Sequence, residues 1–298
     1  MQIAVLSDIH GNYVALKRCV EYALDRNIKT FLFLGDYVGE LAYPQKTMEI
    51  IYSLQQKYTC YFIKGNKEDY WINYRKNKET GWRDNDSTTG SLFYTYYNLT
   101  KKDFDFFEGL SHKKELLVED LPALTLCHGS PNSANEKLLP DNENTFEVMD
   151  SDANAYILCG HTHIQGAIEH NGKKVLNAGS VGVSLHSGGK AQFMILYGEN
   201  NTWNCEFVSL SYDVEKVIAD LYEEELNKKA PCWCKVSKHL LRTGEISHGT
   251  VLARAMELCR EENGVCNWPD IPEKYWEQAV KEMLYEQGSQ KPKKEDKE

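Results

Sequence analysis

The chain has 298 residues, 42% of them hydrophobic, which is enough for one large domain with its own core and a smaller second module. Its 34 basic and 44 acidic residues leave a formal net charge of −10, which repels a phosphate backbone and argues against long nucleic acid as a partner. No apolar run approaches the roughly 20 residues of a membrane span, and no basic leader precedes the first predicted strand, so we expect no membrane partner and a cytoplasmic location.

Five short apolar runs predict buried strands, at 3–6, 31–34, 60–63, 123–127 and 155–159. Helical spacing of apolar residues between the first three runs predicts strand, helix, strand units. Each strand is followed by polar residues of the metal-ligand type: Asp8 and His10, Asp36, Asn66, His128, and His161 with His163. Ligands gather outside the carboxyl ends of strands in layered α/β folds, so these residues are expected to converge.

The second half of this domain is predicted to be more antiparallel. Segments 166–169 and 175–176 flank an Asn171-Gly172 pair, which favours a hairpin turn. Segments 192–197 and 205–210 are two further strand candidates. From residue 211 the pattern becomes helical, which predicts a helical domain over 211–288, and the polar, Lys-rich segment 289–298 is typical of a disordered tail.

The segment 68–119 is rich in aromatic and charged residues and leaves two interpretations open. It forms either a pair of amphipathic helices that cover the sheet, or a partial lid that presents Tyr70, Trp71, Tyr96 or Tyr97 to a nucleobase.

Nine scattered cysteines, several of them in apolar runs, are typical of buried reduced thiols. Cys232 and Cys234 lack the second cysteine pair that a zinc site of this kind needs.

The residues at the predicted strand ends match the needs of two metal ions that share a bridging carboxylate. Imidazole, carboxylate and amide ligands without thiolate suit Mn²⁺, Fe or Zn²⁺ better than a structural zinc site or a Ca²⁺ cage. The sequence therefore predicts two divalent transition-metal ions as cofactors.

The motifs resemble those of calcineurin-like metallophosphoesterases in order and rough spacing. They are Asp8-Ile9-His10, Gly35-Asp36, Gly65-Asn66, His128-Gly129 and Gly160-His161-Thr162-His163. The resemblance spans residues 1–210 and implies a four-layer α/β/β/α sandwich, to which the small C-terminal helical domain is added. With that addition the chain resembles small bacterial phosphodiesterases, among them asymmetrical diadenosine tetraphosphate hydrolases.

The same resemblance implies roles for individual residues. Asp8, His10, Asp36 and His163 would hold one ion, Asp36, Asn66, His128 and His161 would hold the other, and Asp36 would bridge them. A hydroxide that bridges the metals would attack phosphorus in line, with Asp36, Asn66 and His128 counted among the catalytic residues. Ser180 and Gly182 lie in a loop similar to one in the family and are expected to offer donors to a phosphate, although a glycine-shaped turn explains them equally well.

Lys67 stands where many members of the family carry a histidine that assists the leaving group. A lysine is a poor proton donor near neutral pH, so its presence favours leaving groups that need little protonation, such as nucleotide phosphates. We therefore expect Lys67 to act in catalysis or substrate binding, with a solvated side chain as the alternative.

Together these features predict a phosphodiesterase that hydrolyses phosphoester or phosphoanhydride bonds of small nucleotide-type substrates, dinucleoside polyphosphates among them. The alternatives are a phosphomonoesterase or protein serine/threonine phosphatase, a DNA nuclease, which the acidic charge disfavours, and a non-catalytic scaffold of the same fold. The helical domain is expected either to pack beside the metal cleft or to form a subunit interface, which leaves a homo-oligomer open.

Overall fold

Two five-stranded sheets form the centre of the molecule in the computed structural model, which describes residues 1–286. In chain order the strands are β1 (Gln2–Leu6), β2 (Thr30–Phe33), β3 (Thr59–Phe62), β4 (Lys113–Leu116), β5 (Leu124–Cys127), β6 (Tyr156–Cys159), β7 (Gly166–His170), β8 (Lys173–Asn177), β9 (Ala191–Glu199) and β10 (Thr202–Leu210). The first sheet has the order β10-β9-β1-β2-β3 and the second the order β4-β5-β6-β8-β7.

The parallel strands at the centre of each sheet set the direction of the loops that follow them. In the first sheet β1 pairs with β2 and β2 with β3, and in the second β5 pairs with β6 and β6 with β8, all in parallel. Strands β9 and β10 and the β7–β8 hairpin are antiparallel, as predicted. The loops after β1, β2 and β3 therefore leave from one edge of the first sheet, and those after β5 and β6 leave from one edge of the second.

Helices cover the outer faces of both sheets. They are α1 (Tyr13–Asp25), α2 (Pro44–Lys57), α3 (Asn66–Lys76), α4 (Gly90–Tyr97), α5 (Lys101–Glu108) and α6 (Glu143–Ser151). Helix α1 begins where the Asn12 side chain accepts a hydrogen bond from the Ala15 amide, and its apolar stripe faces the first sheet. Helix α6 packs on the second sheet through Val148 and Met149.

The apolar residues between the sheets form a separate layer of the core. Val5 and Leu32 of the first sheet pack with Leu126 and Leu158 of the second, and each is at most 1% exposed. Full burial of one such side chain stabilises the fold by about 1.5–3 kcal/mol. The arrangement is the predicted four-layer α/β/β/α sandwich.

After β10 the chain continues as a helical module. Its helices are α7 (Val214–Glu223), α8 (Leu226–Lys229), α9 (Pro231–Thr243), α10 (His248–Asn263) and α11 (Glu273–Val280), followed by a π-helical turn (Lys281–Glu286). Helices α9, α10 and α11 enclose a small core around Trp276. A second cluster joins Leu221 and Leu240 of the module to Leu41 and Val183 of the sandwich, so the two parts share buried surface.

The sequence predicts a disordered C-terminal tail and no membrane span. The predicted tail at 289–298 lies outside the described residues. Within residues 1–286 no helix combines the length and the apolar character needed to cross a bilayer.

Candidate metal centre and adjoining cleft

The residues predicted to hold metal converge at the adjoining edges of the two sheets. Ligand atoms of Asp8, His10 and His163 lie within 4.8 Å of one another, and so do those of Asp8, Asp36 and His128. Asn66, at the start of α3, places its Oδ1 3.0 Å from Nε2 of His128. The ring of His161 lies 5.1 Å from that of His128, so the whole predicted set is brought together.

The two carboxylates occupy the middle of this group. Oδ2 of Asp36 lies 3.5 Å from Nε2 of His10 and 3.4 Å from Nε2 of His128, so it faces one histidine from each predicted metal position. Oδ1 of Asp8 lies 3.2 Å from Nε2 of His163 and 3.8 Å from Nε2 of His128. Each carboxylate therefore lies near histidines of both predicted metal positions.

Hydrogen bonds to backbone carbonyls and to one carboxylate orient the imidazoles. Nδ1 of His128 lies 2.7 Å from the Leu34 carbonyl, and Nδ1 of His163 lies 3.1 Å from that of Val183. Carbonyl oxygens only accept, so each Nδ1 donates, and Nε2 is the nitrogen left to coordinate a metal. The two ring nitrogens of His161 have the opposite roles, because Nε2 donates to the Asn135 carbonyl at 3.2 Å and leaves Nδ1 free to coordinate.

One buried atom in this group lacks a hydrogen-bond partner. Oδ2 of Asp8 accepts from Ser7 Oγ at 2.6 Å and from the His161 amide at 2.9 Å, whereas Oδ1 has no donor although it is buried. An unpaired buried carboxylate oxygen is costly unless a cation satisfies it. This atom and the mixed nitrogen and oxygen donor set fit divalent transition metals.

The backbone at the ligand positions is unusual. Asp8, His10, Asp36, His161 and His163 all have φ between 51° and 63°, a region that residues other than glycine rarely occupy. Such conformations persist only when the surrounding structure imposes them, and they cluster at functional sites. The backbone at Gly160 also passes close to Asp8, because a Cβ at this position would collide with Ser7 Oγ and Asp8 Oδ2.

The close carboxylates change the protonation of two ligands. Burial alone would lower the pKa of His10, but Glu40 and Asp8 outweigh it and raise the pKa to about 10. Burial is likewise outweighed at His128, where Asp36 and Asp8 raise the pKa to about 9. Burial, assisted by the charge of His128, lowers the pKa of His161 to about 4.

Two carboxylates that the sequence interpretation did not assign hold the ligands in place. Oε2 of Glu40 lies 3.0 Å from Nδ1 of His10, and Oε1 of Glu40 forms an ion pair with Nζ of Lys67. Glu68 is fully buried and accepts hydrogen bonds from the amides of Asp36, Tyr37 and Gly65, which ties the loop after β2 to the loop after β3. Burial, followed by the charge of Asp36, raises the pKa of Glu68 to about 7. The motif spacing gave no signal for Glu40, because its partners lie far from it in sequence.

Ser180 and Gly182 are used to hold the loop that carries Asp8. Ser180 Oγ donates to the Asp8 carbonyl at 2.7 Å, and the Gly182 amide donates to the same carbonyl at 3.0 Å. A Cβ at Gly182 would collide with the Ile9 carbonyl, so glycine is required for the close approach. These contacts give no support to the prediction that the two residues bind phosphate.

The metal centre opens into a cleft of about 250 Å³ between the sandwich and the helical module. His10, Asp36, Asn66, Lys67 and His163 line its floor. Residues of the module line the opposite side and form the roof of the cleft: Trp233, Leu240, Ser247, His248, Gly249, Leu252 and Trp268. The module therefore packs beside the cleft, as one of the two expectations for it has it.

His248 is the residue of this roof that the sequence interpretation left without a role. It begins α10, stacks on Trp233 with ring centroids 4.4 Å apart, and has Nε2 2.8 Å from Ser237 Oγ. Burial lowers its pKa to about 3 and outweighs the opposing Glu40 carboxylate, so the ring is neutral at pH 7. A pairing between a helical module and a distant sheet edge has no signal in local sequence.

The segment 68–119 is held against the rest of the protein. It contains most of α3, all of α4 and α5, and strand β4, rather than only the predicted pair of helices. Trp71 and Tyr96 are buried and cannot present their faces to a ligand, whereas Tyr70 lines the cleft. Ser87 Oγ bonds Glu273, and Thr88 Oγ1 accepts from the Trp276 indole at 2.9 Å, so the stretch that suggested a hinge is bound to the helical module.

Two stacked sheets whose adjoining edges carry this cluster of imidazoles and carboxylates define a metal-dependent phosphoesterase. The chain belongs to the calcineurin-like phosphoesterase superfamily, whose domain model matches residues 1–201.

Related proteins share most of the chain. A protein of Methanocaldococcus jannaschii is 27% identical over 252 residues, which cover 78% of this chain and 94% of the relative. A solved structure from Pyrococcus horikoshii superposes with a TM-score of 0.68 at 20% identity, covering 83% of this chain and 99% of that one. A metallophosphoesterase from Sphaerobacter thermophilus gives a TM-score of 0.62 at 19% identity, covering 82% and 99%. Both superpositions extend beyond residue 201 in coverage and support the fold.

Proposed function

We propose that the protein hydrolyses phosphodiester or phosphoanhydride bonds of small nucleotide-type substrates, with two divalent transition-metal ions bound at the strand ends. The observation that carries this proposal is the roofed cleft. Five of the seven predicted metal ligands line a space of about 250 Å³ that Trp233, His248 and Trp268 cover from the other side. Such a space suits part of a small molecule. A space of this size, covered by the helical module, favours a small substrate over the folded substrate of a protein phosphatase.

In this proposal each predicted ligand has a place at one of two metal positions, or bridges them. Asp8, His10 and His163 would hold one ion, Asn66, His128 and His161 the other, and Asp36 would bridge them. When bound, two such ions neutralise charge on a phosphoryl group and lower the pKa of water. Glu40 and Glu68 act through the ligands, by orienting His10 and by fixing the loop of Asp36.

Lys67 supports a preference for good leaving groups. Burial alone would lower its pKa, but the Glu40 carboxylate outweighs this and raises it above the ordinary lysine value. An ammonium held in an ion pair does not release a proton to a departing oxygen near pH 7. Diesters with acidic leaving groups and nucleotide anhydrides, whose leaving group is a stable phosphate, are therefore favoured over alkyl monoesters.

The test compares bis(p-nitrophenyl) phosphate with p-nitrophenyl phosphate on Mn²⁺-loaded protein, with dinucleoside polyphosphates as a third substrate. We expect kcat/KM to be higher for the diester, and the dinucleotides to be hydrolysed. A higher kcat/KM for the monoester would favour the phosphomonoesterase alternative. A protein that binds metal and hydrolyses none of the substrates would favour the scaffold.

A further inference from the structure

A second cavity lies beside the metal cleft, on the far side of Tyr70. It has a volume of about 620 Å³ and lies between α3, the turn at 80–82, and α10 with the Trp268-Pro269 pair. Tyr70, Leu252 and Trp268 line both spaces and form the wall they share. The volume falls in the range of roughly 300–1,000 Å³ that is usual for small-molecule sites.

The lining of this second cavity differs chemically from that of the metal cleft. The cleft has Lys67, Lys137, Glu40 and Asp36 on its walls, whereas the side chains that line the second cavity within residues 1–286 are all uncharged. Trp82 is fixed by Tyr74, with stacked rings 3.9 Å apart. Trp268 is 45% exposed and Tyr70 is 36% exposed. An aromatic, uncharged wall favours a flat ring over a phosphate.

Two amides add polar groups to this apolar space. Asn73 on α3 and Asn77, the residue that follows the last turn of α3, are exposed and line the second cavity. Their side chains make no hydrogen bond to another residue of the described chain. Each amide offers a donor and an acceptor, which is what the edge of a nucleobase requires.

Lys67 lines the metal cleft and lies next to Tyr70 of the shared wall. Its Nζ lies 5.3 Å from the centre of the Tyr70 ring, while its backbone amide donates to Oδ1 of Asp36 at 2.9 Å. A phosphate at the metal centre thus lies beside Lys67, and the next space beyond Tyr70 is the second cavity.

We infer that the second cavity is the binding subsite for the nucleobase of a substrate whose phosphate lies at the metal centre. This inference rests on the proposed function and makes it narrower, because it names the non-reacting part of the substrate. The wall formed by Trp268 and Tyr70 provides the stacking surface, and Asn73 and Asn77 contact the edge of the base.

The test measures binding of AMP and of inorganic phosphate to the full-length, Mn²⁺-loaded protein by calorimetry. Trp268→Ala removes a stacking surface, and Asn73→Trp fills the second cavity from an exposed helix position that does not line the metal cleft. We expect each to raise the Kd of AMP at least about fivefold, as loss of one base stack would, and to leave the Kd of phosphate within about twofold.

Two further variants serve as controls. Trp268→Phe keeps a ring and should retain most of the AMP affinity. Tyr97→Ala removes an aromatic residue that is 59% exposed and lines neither space, so it should change neither Kd.

The outcomes separate this inference from the proposed function. An AMP affinity that neither Trp268→Ala nor Asn73→Trp changes, or an equal loss of AMP and phosphate affinity, overturns the subsite. Binding as expected, with no hydrolysis of any diester or dinucleotide, supports the subsite and overturns the proposed function instead.

Discussion

Asp36 and His128 are the residues on which the proposed chemistry depends most directly. Each lies with a ligand atom about 3.4 Å from the other, and both are buried at the junction of the sheets. Asp36→Asn or His128→Ala should lower kcat at least about 10³-fold, because the loss of a ligand removes stabilisation of transition-state charge. Steady-state kinetics on protein with an unchanged circular dichroism spectrum is the measurement. Near-full activity in either variant would contradict the assignment.

Glu40 should act on metal affinity rather than on chemistry alone. Glu40→Gln removes the carboxylate that orients His10 and leaves the ammonium of Lys67 unpaired beside the metal site. We expect Mn²⁺ affinity to fall about 10–100-fold, as is typical when a partner of a ligating histidine is lost. Titration calorimetry measures the change, and Glu49→Gln, at an exposed position on α2, is the control. Equal affinities in the two variants would rule out this role.

The leaving group should reveal what Lys67 does. Rates for a series of aryl and alkyl diesters should fall steeply as the leaving group becomes more basic, because no acid assists its departure. Lys67→Ala should weaken dinucleoside polyphosphate binding more than it slows a small aryl diester, since it removes a cation that lines the cleft. Lys67→His should raise phosphomonoesterase activity. A flat dependence on leaving-group pKa, with no effect of Lys67→Ala, would mean that the proton comes from elsewhere.

At the scale of elements, the helical module is both a roof and part of the core. Leu221, Leu226 and Leu240 pack with Leu41 and Val183 of the sandwich. Deletion of residues 211–298 should therefore lower the thermal midpoint as well as alter substrate preference, since it exposes buried apolar surface and opens the cleft. Calorimetric melting and the ratio of diester to monoester kcat/KM measure the two effects. A truncated protein unchanged in both would show that the module is incidental.

The elements that the sequence predicted well are those with a local signal. The strand after Met1 ends at Leu6, and its run of buried residues is visible as an apolar run in the sequence. Strand β4 was missed because Lys113, Lys114 and Glu115 are exposed and show no apolar run. The seven strand-end residues were placed together because parallel strands share an edge, but their division between two ions still rests on family resemblance.

Residues whose roles depend on distant partners could not be found in this way. Glu40 forms an ion pair with Lys67 only because β2 and β3 are neighbours in the sheet, so that the segments after them lie side by side. His248 reaches the cleft only because α10 packs over it. Neither position carries a motif, and the helical periodicity around residue 250 predicts a helix without indicating which of its ends meets the metal centre.

At the scale of the whole molecule, metal binding should be coupled to proton release. Raised pKa values of about 10 for His10 and about 9 for His128 mean that both are protonated at pH 7 before metal binds. A metal must displace these protons, so apparent affinity should rise with pH from 7 towards 9 and level off near 10. The same raised pKa values stabilise the metal-free fold below pH about 6.5, and this contribution is lost as pH rises through 9 to 10.

Calorimetry in buffers of different ionisation enthalpy counts the released protons directly. We expect more than one proton per chain at pH 7 when both positions are filled, and close to none near pH 10. Release that does not vary with pH would show that the histidines are already neutral before metal binds.

The placement of the roof also sets an order of events during synthesis. All the predicted metal ligands lie before residue 164, and the last strand ends at Leu210, whereas the roof begins with Trp233 and is completed by Trp268. At about 5–20 residues synthesised per second, several seconds separate the synthesis of the last predicted ligand from that of the roof. A nascent chain thus carries every predicted ligand before it carries the wall that encloses a substrate. Metal can therefore bind before the cleft is enclosed. The apolar surface at Leu41 and Val183 stays uncovered until the helices of the module have been synthesised.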